Sequence, residues 1–325
     1  MEVLNLLKEK CIIHEEQGYA LFFYHNSKVY EEVHGKLKDK NSKDIDFNSN
    51  FRLASVTKQF IAFAIVDLIH KGKLKYETSI KSIFPDLPSY FENITVKKLL
   101  NHTSGIYDYE DMPHEENGYQ LQDRDILEFL KTTDKTYFEV GTKYRYSNTA
   151  YILLGLIIEE VSSETMEKYI GENIFSKASM SESKVNIQGK TIIKDRAYGH
   201  IVNENNQLVE KDQYWCSATI GDGGLYSSVN DLKKWVKFLV ESDYYKEMTS
   251  PNYVGENENN EYALGLRNIK FEENEIIYHC GSTIGTRTLL LFSKDLNLCL
   301  IFLTNIDGID TSNMKENVLK YLKGL

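Results

Sequence analysis

The chain has 325 residues, a formal net charge of −10 and 42% apolar residues, so it can bury a sizeable core and is not a wholly disordered protein. The acidic balance excludes a dedicated nucleic-acid binder, for which a basic domain or stripe is typical. The longest apolar runs, Phe60–Val66 and Ala150–Ile158, are too short to span a membrane, so no membrane insertion is expected.

The N-terminal part of the chain predicts a helix, a hairpin and a buried helix. Apolar residues in Glu2–Ile13 recur at helical spacing, and Gly18–His34 is typical of two strands joined at Asn26. Val56–His70 is apolar on almost all sides, which indicates a helix in the centre of a protein, and Gly72 would end it.

The first residues also bear on the compartment. Charged residues interrupt the apolar positions of the N-terminus and no small-residue cleavage site follows, so this segment does not resemble a signal peptide. We therefore expect a cytoplasmic protein as the sequence is written, or an extracytoplasmic one if an export signal was removed. Four cysteines lie far apart without a CxxC pair, which favours free thiols: Cys11, Cys216, Cys280 and Cys299.

The middle of the chain is predicted to be mostly helical. The expected helices are Val96–Asn101, Asp123–Lys131, Thr149–Val161, Glu164–Ile170 and a helix from Ser228 to Val240. Asn148 is the expected N-cap of the third of these helices.

The C-terminal third returns to strands joined by short polar turns, which predicts antiparallel neighbours. The expected strands are Tyr262–Lys270, Glu275–Cys280, Arg287–Ser293 and Leu296–Thr304, followed by a last amphipathic helix, Ser312–Leu322. This order indicates an α+β fold, in which an antiparallel sheet built from both chain ends is flanked by N- and C-terminal helices, with a mostly helical region inserted.

A first candidate site is the Ser-x-x-Lys pair at the start of the buried helix. Residues i and i+3 share a helix face, so the amine of Lys58 should lie one turn from the hydroxyl of Ser55. A serine nucleophile needs an adjacent base, and a desolvated lysine can supply one. Two further pairs have polar surroundings that favour a capping serine and a solvated lysine: Ser181 with Lys184, and Ser312 with Lys315.

A second candidate, Tyr146-Ser147-Asn148, precedes another apolar helix. A phenol can relay a proton if a nearby cation lowers its pKa, and Asn148 could both orient a substrate amide and hold Lys58. The alternative for this tripeptide is a packed tyrosine followed by a capping asparagine.

A third candidate ends a predicted strand at His279-Cys280-Gly281-Ser282. Gly281 lacks a side chain where another backbone could approach closely, and a substrate could pair with the strand edge. The N–H groups of Ser55 and Ser282 could then form an oxyanion hole. The alternative is an ordinary strand followed by a turn-forming Gly-Ser.

In this order the three motifs resemble those of the serine β-lactamases and penicillin-binding proteins, specifically the class C β-lactamase and D-alanyl-D-alanine carboxypeptidase branch. Histidine stands where most members have lysine in the third motif. The resemblance covers most of the chain and includes Phe51–Lys58, Leu99–Gly105, Gly141–Asn148 and Gly223–Ser228.

The resemblance implies a sheet domain, 1–52 and 222–325, a helical domain, 53–221, and an active site between them. It implies that Ser55 is acylated, that Lys58 and Tyr146 form the base system, and that Asn148 and His279 contact substrate. The expected partner is a small-molecule or peptide substrate. No metal or cofactor is implied, and the oligomeric state stays open.

Several activities remain open within this family. A mostly neutral His279 would bind a substrate carboxylate less well than lysine, which favours an esterase, D-amino-acid peptidase or carboxypeptidase over an efficient β-lactamase. Hairpin symmetry places Arg267 opposite Tyr278 and next to His279, where its guanidinium could bind a substrate carboxylate. A non-turnover penicillin-binding sensor or a degenerate binding module is the alternative function, and a solvated strand arginine is the alternative for Arg267.

Overall fold

The computed structural model describes residues 2–114, 118–251, 253–254 and 260–324. The strands, in chain order, are β1 (Tyr19–His25), β2 (Lys28–His34), β3 (Phe51–Arg52), β4 (Lys184–Val185), β5 (His200–Val202), β6 (Leu208–Glu210), β7 (Leu225–Ser227), β8 (Tyr253–Val254), β9 (Asn260–Tyr262), β10 (Arg267–Phe271), β11 (Asn274–Thr283), β12 (Thr286–Ser293) and β13 (Leu298–Thr304).

The helices, in the same order, are α1 (Glu2–Lys8), α2 (Lys58–His70), α3 (Ile80–Ile83), α4 (Val96–Leu100), α5 (Asp123–Thr132), α6 (Asn148–Ser162), α7 (Met166–Ile170), α8 (Val229–Glu241), α9 (Tyr245–Thr249) and α10 (Ser312–Leu322). Short 3-10 turns cover Ala54–Thr57, Ser89–Asn93 and Tyr109–Asp111, and a π-turn covers Gly171–Phe175. None of the helices in the described ranges is long and apolar enough to cross a membrane.

Both ends of the chain contribute to one eight-stranded sheet, in the order β2-β1-β13-β12-β11-β10-β9-β8. Every neighbouring pair in it is antiparallel. Helices α1 and α10 pack together on one face, where Asn317 Nδ2 donates to the carbonyl oxygens of Leu7 and Glu9 at 3.2 and 3.0 Å. The α+β class and the antiparallel sheet flanked by terminal helices are therefore confirmed.

The centre of the protein lies on the other face of the sheet, around the adjacent helices α2 and α6. Every residue of α2 from Lys58 to Leu68 is buried, which explains why the sequence there is apolar on nearly all sides. The indole N–H of Trp235 on α8 donates to Gln59 Oε1 at 2.6 Å and ties α8 to this helix. The division into domains 1–52 with 222–325 and 53–221 stays a prediction.

Three details differ from the sequence-based expectations. Helix α1 ends at Lys8 rather than Ile13. Ser147, not Asn148, is the N-cap of α6, because its hydroxyl accepts from the N–H of Ala150 at 3.1 Å. The strand expected at Tyr262–Lys270 is broken, since Gly265 has a φ of +69° and lies against the start of α2, where an added Cβ would be 2.5 Å from the Lys58 carbonyl oxygen.

Candidate active site

Ser55 lies on the 3-10 turn that leads into α2. The residue before it, Ala54, has a φ of +48°, a left-handed conformation that is strained for a residue with a Cβ. The Leu53 carbonyl oxygen accepts from Thr288 Oγ1 of β12 at 2.8 Å and from the Val56 N–H at 3.2 Å. These contacts hold the strained turn against the sheet and leave Ser55 partly exposed among buried neighbours.

The amine of Lys58 reaches Ser55 across one turn of helix, as the motif predicts. Lys58 Nζ lies 3.0 Å from Ser55 Oγ, 2.7 Å from Asn148 Oδ1 and 2.9 Å from the main-chain oxygen of Asp222. A neutral amine has two N–H bonds and one lone pair. Since Asn148 Oδ1 and the Asp222 carbonyl can only accept, they would take both N–H bonds and leave the lone pair facing the Ser55 hydroxyl.

The surroundings of Lys58 make that neutral amine easier to form than in an ordinary lysine. Its side chain is fully buried, and this burial lowers the pKa of Lys58 to about 8, although Asp222, Asp108 and Glu110 act in the opposite direction. Lys184, from another Ser-x-x-Lys pair, is by contrast exposed. The burial of the lysine thus distinguishes the pair Ser55 and Lys58 from the pair Ser181 and Lys184.

Tyr146 lies beside this pair. Its ring centroid is 4.9 Å from Lys58 Nζ and 5.5 Å from the guanidinium carbon of Arg267. Burial raises the pKa of Tyr146 well above its ordinary value, and interactions with Ser55 and Arg267 offset only part of that rise. The buried hydroxyl makes no hydrogen bond of ordinary geometry within the described chain.

The segment before α6 is built so that Asn148 can face Lys58. Asp108 Oδ2 accepts from the Asn148 main-chain N–H at 2.8 Å, and Ser147 caps the helix, so the Asn148 side chain is not needed as a cap. His102, from the Leu99–Gly105 segment, accepts from the Ser147 N–H at 3.1 Å and lies 4.5 Å from the Tyr146 ring. The Leu99–Gly105 segment therefore helps to position the second motif, Tyr146-Ser147-Asn148.

Gly281 and Ser282 lie on β11 next to the turn that carries Ser55. A Cβ added to Gly281 would lie 2.2 Å from the Leu53 carbonyl oxygen and 2.1 Å from Thr288 Oγ1, which is the close backbone approach that the sequence predicts. Strand β10 pairs with β11 only as far as Tyr278. On that side no described strand pairs with residues 279–283, so the edge is open to an added strand.

His279 is the buried residue that opens the third motif. Its Nδ1 lies 2.7 Å from the Cys280 carbonyl oxygen, and its Nε2 lies 3.4 Å from the Tyr262 hydroxyl. Burial, with Arg267 and Lys58 nearby, holds the pKa of His279 well below its ordinary value. The third motif led us to expect a mostly neutral His279, and this lowered pKa supports that expectation.

Arg267 begins β10, and the register places it opposite Tyr278, as hairpin symmetry predicts. Its guanidinium carbon is 5.3 Å from the Tyr262 ring centroid, so it lies over two aromatic rings. No ion pair to Arg267 is found among the described residues. Its charge is therefore available to a substrate anion.

The sequence did not single out two acidic residues of the site. Asp222 accepts from Lys58 through its main-chain oxygen, and its buried carboxylate accepts from the Tyr109 hydroxyl at 2.9 Å. Glu110 follows Tyr109 on the same 3-10 turn, and its charge, like those of Asp222 and Asp108, raises the pKa of Lys58. Glycines flank Asp222, and this pattern could have drawn attention to the segment. A main-chain oxygen that accepts a hydrogen bond can belong to any residue type, however, so the sequence does not identify it. Glu110 could be found only from the fold.

The Ser55 turn, the buried amine of Lys58 and the open edge of β11 thus lie together in one candidate site. The chain belongs to the beta-lactamase family, whose sequence pattern it matches over residues 9–323. It is 30% identical to penicillin-binding protein 4* of Bacillus subtilis (strain 168), with 94% of this chain and 71% of that protein covered.

Protein flp of Staphylococcus aureus (strain MRSA252) is 26% identical over 93% of this chain, which spans only 62% of that protein's length. Among solved structures, the penicillin-binding protein from Bacillus halodurans has a TM-score of 0.84 at 22% identity, with 98% of both chains covered. The D-amino acid amidase from Ochrobactrum anthropi SV3, complexed with L-phenylalanine amide, has a TM-score of 0.81 at 21% identity, with 99% and 97% covered. These structural likenesses concern the fold.

Proposed function

We propose that this protein is a serine hydrolase that cleaves an ester or an amide through a covalent acyl-enzyme on Ser55. The observation that carries the proposal is the position of the Lys58 amine, 3.0 Å from Ser55 Oγ and held by two other acceptors. This geometry gives the hydroxyl an adjacent amine, and burial lowers the pKa of that amine to about 8, so that a fraction of it can act as a neutral base.

In the proposed reaction, Ser55 Oγ attacks the acyl carbon while its proton passes to the neutral amine of Lys58. The N–H groups of Ser55 and Ser282 stabilise the oxyanion. Lys58 and Tyr146 return the proton to the leaving alcohol or amine as its bond to the acyl carbon breaks. Water then attacks the acyl-enzyme by the reverse proton path and releases the acid. Asn148 positions both the amine of Lys58 and the substrate.

Within this class we favour ester and peptide-like amide substrates over β-lactams. A neutral, buried His279 supplies no fixed charge for the carboxylate of a β-lactam. The names of the relatives, a penicillin-binding protein and a D-amino acid amidase, support amide chemistry. Arg267 is the proposed carboxylate-binding residue, which would make a carboxypeptidase the particular activity.

The test is a substrate panel with purified protein and the Ser55→Ala variant. The panel contains p-nitrophenyl acetate, p-nitroanilides of D- and L-alanine, and a chromogenic cephalosporin. We expect turnover of the ester and of an anilide, slow or no turnover of the cephalosporin, and no turnover by the variant. Binding of a penicillin without turnover of any substrate would instead support the sensor function.

A further inference from the structure

Asp123 is a buried carboxylate that lies outside the three sequence motifs. It is the first residue of α5, and only 6% of it is exposed. Its Oδ1 accepts from the Ile220 N–H at 2.7 Å, and its Oδ2 accepts from the Gly221 N–H at 3.0 Å. One carboxylate thus holds two consecutive main-chain N–H groups in a segment that begins 97 residues further along the chain.

The segment that Asp123 holds is a tight turn over residues 220–224. The Ile220 carbonyl oxygen accepts from the N–H groups of Gly223 and Gly224 at 3.3 and 2.9 Å, which closes the chain around Asp222. Ile220 therefore uses its N–H on Asp123 and its carbonyl group inside the turn. A movement of Ile220 would be passed to the whole 220–224 turn, because both ends of the turn depend on it.

The 220–224 turn contacts both α6 and the amine of Lys58. A Cβ added to Gly221 would lie 2.5 Å from the Tyr151 carbonyl oxygen, so the main chain of the turn packs directly on α6. The next residue, Asp222, accepts from Lys58 Nζ at 2.9 Å through its main-chain oxygen. Asp123 and α6 thus hold the turn from two sides, and the turn presents to Lys58 one of the acceptors that orient its amine.

The carboxylate of Asp123 is costly to bury. Its neighbour Arg124 pairs with Glu159 and Glu160 instead of with Asp123. Burial, with Asp222 and Glu159 nearby, raises the pKa of Asp123 to about 7, and the bonds from the two main-chain N–H groups offset only part of that rise. Because an apolar residue would avoid this cost, the contribution of the carboxylate is to hold the 220–224 turn.

We propose that Asp123 is a positioning residue for the reaction at Ser55: through the 220–224 turn it keeps the Asp222 main-chain oxygen against the Lys58 amine and so controls how that amine exchanges its proton. The inference rests on the proposed function and adds to it a residue that touches no substrate. Hydrogen bonds to a charged acceptor are stronger than those to a neutral one, and two of them fix the orientation of the turn as well as its distance.

The main variant is Asp123→Asn, which keeps the shape of the side chain but replaces one of its two acceptors with an N–H donor that would face a main-chain N–H. Asp123→Ser is the second variant, because serine is well tolerated at the start of a helix and still offers one acceptor. Asp125→Asn is the matched control. It removes the same charge from the same turn of α5, but Asp125 accepts from the Gln122 N–H and the Tyr119 hydroxyl rather than from the 220–224 turn.

The first measurement follows Lys58 itself and needs no turnover. Protein with isotope-labelled lysine is titrated by NMR, and the Lys58 signal is assigned by its absence from Lys58→Ala. We expect a pKa near 8 in the wild type and in Asp125→Asn, and a pKa lower by about 0.5 or more in the two Asp123 variants. The pKa should fall because the Asp222 charge raises the pKa of Lys58, and a released turn would move that charge away.

The second measurement is a double-mutant cycle in the hydrolysis of p-nitrophenyl acetate. In the wild-type background, Asp123→Asn should lower kcat by about 10- to 100-fold with little change in KM, as for a lost charge-assisted hydrogen bond. In the Lys58→Ala background, the same change should cost about twofold or less, the usual error of additivity, because the group that Asp123 positions is gone. Asp125→Asn should leave kcat unchanged.

A Lys58 pKa that is unchanged or higher in the Asp123 variants would overturn the inference and leave the proposed function intact. Losses in kcat of the same size in both backgrounds would do the same, because Asp123 would then serve the fold alone. If the wild type hydrolyses no ester, the proposed function fails, and the NMR titration alone decides whether Asp123 acts on Lys58.

Discussion

Lys58 Nζ and the main-chain oxygen of Asp222 are 2.9 Å apart, although 164 residues separate them in sequence. Asp222 lies in a loop that Asp123 of α5 holds, because its carboxylate accepts from the N–H groups of Ile220 and Gly221 at 2.7 and 3.0 Å. The amine of Lys58 is thus oriented by a loop as well as by its own helix. When Lys58 is neutral, this arrangement would direct its lone pair toward Ser55.

The proposed base predicts a pH dependence. Lys58 must be neutral to accept the Ser55 proton, and its pKa is about 8, so kcat/KM for p-nitrophenyl acetate should rise with pH and level off above a midpoint near 8. The uncharged substrate ensures that only enzyme groups titrate. A rate that is flat between pH 6 and 9, or one that falls over this range, would rule out Lys58 as the base.

Lys58 and Tyr146 should act as one unit. Lys58→Ala and Tyr146→Phe should each lower the acylation rate by about 10²–10⁴-fold, the usual range for a positioned proton-transfer group. The double variant should lose far less than the product of the two factors, because both belong to one proton path. Pre-steady-state kinetics measures this, and losses that multiply would mean that the residues act independently.

Gly281→Ala should impair catalysis by moving β11 away from the nucleophile turn. The added Cβ would fall 2.2 Å from the Leu53 carbonyl oxygen, so the Ser282 N–H would leave the oxyanion position. We expect a loss in kcat of about 10²-fold or more, as for a lost oxyanion donor. Gly171→Ala is the control, because its Cβ would meet nothing within 4 Å and should leave kcat unchanged. Unchanged kcat in Gly281→Ala would contradict the assignment.

Arg267 should recognise a substrate carboxylate. A peptide with a free C-terminal carboxylate is compared with its methyl ester or amide in wild type and in Arg267→Ala. The variant should lose about 10-fold or more in kcat/KM on the free acid alone, as for a lost charge-assisted contact. Arg124→Ala, which removes an exposed arginine paired with Glu159, is the control. Equal losses on both substrates, or none, would favour an esterase over a carboxypeptidase.

Much of the fold could be predicted because its patterns are local. The bounds of α10 are those expected from its amphipathic pattern, and the hairpin around Phe271 and Asn274 has the predicted register. The Ser-x-x-Lys spacing predicted the contact between Ser55 and Lys58, since one helix turn fixes it.

What could not be predicted depends on contacts between distant segments. The strand breaks at Gly265 because the chain there contacts the start of α2. No local feature of a strand pattern predicts that contact. Serine and asparagine are both good N-caps, so only the structure shows that Ser147 caps α6 and releases Asn148 for Lys58. Glu110 becomes part of the site only because its turn packs on α6.

The central claim is that Ser55 is the acylated nucleophile, and covalent labelling tests it most directly. The protein is incubated with a fluorophosphonate, a reagent that phosphonylates activated serines, and the adduct is located by peptide mass spectrometry. We predict one adduct, on Ser55, that is absent from a folded Ser55→Ala variant and retained in Ser181→Ala and Ser312→Ala. An adduct on another residue, or near-normal ester hydrolysis by Ser55→Ala, would contradict the account.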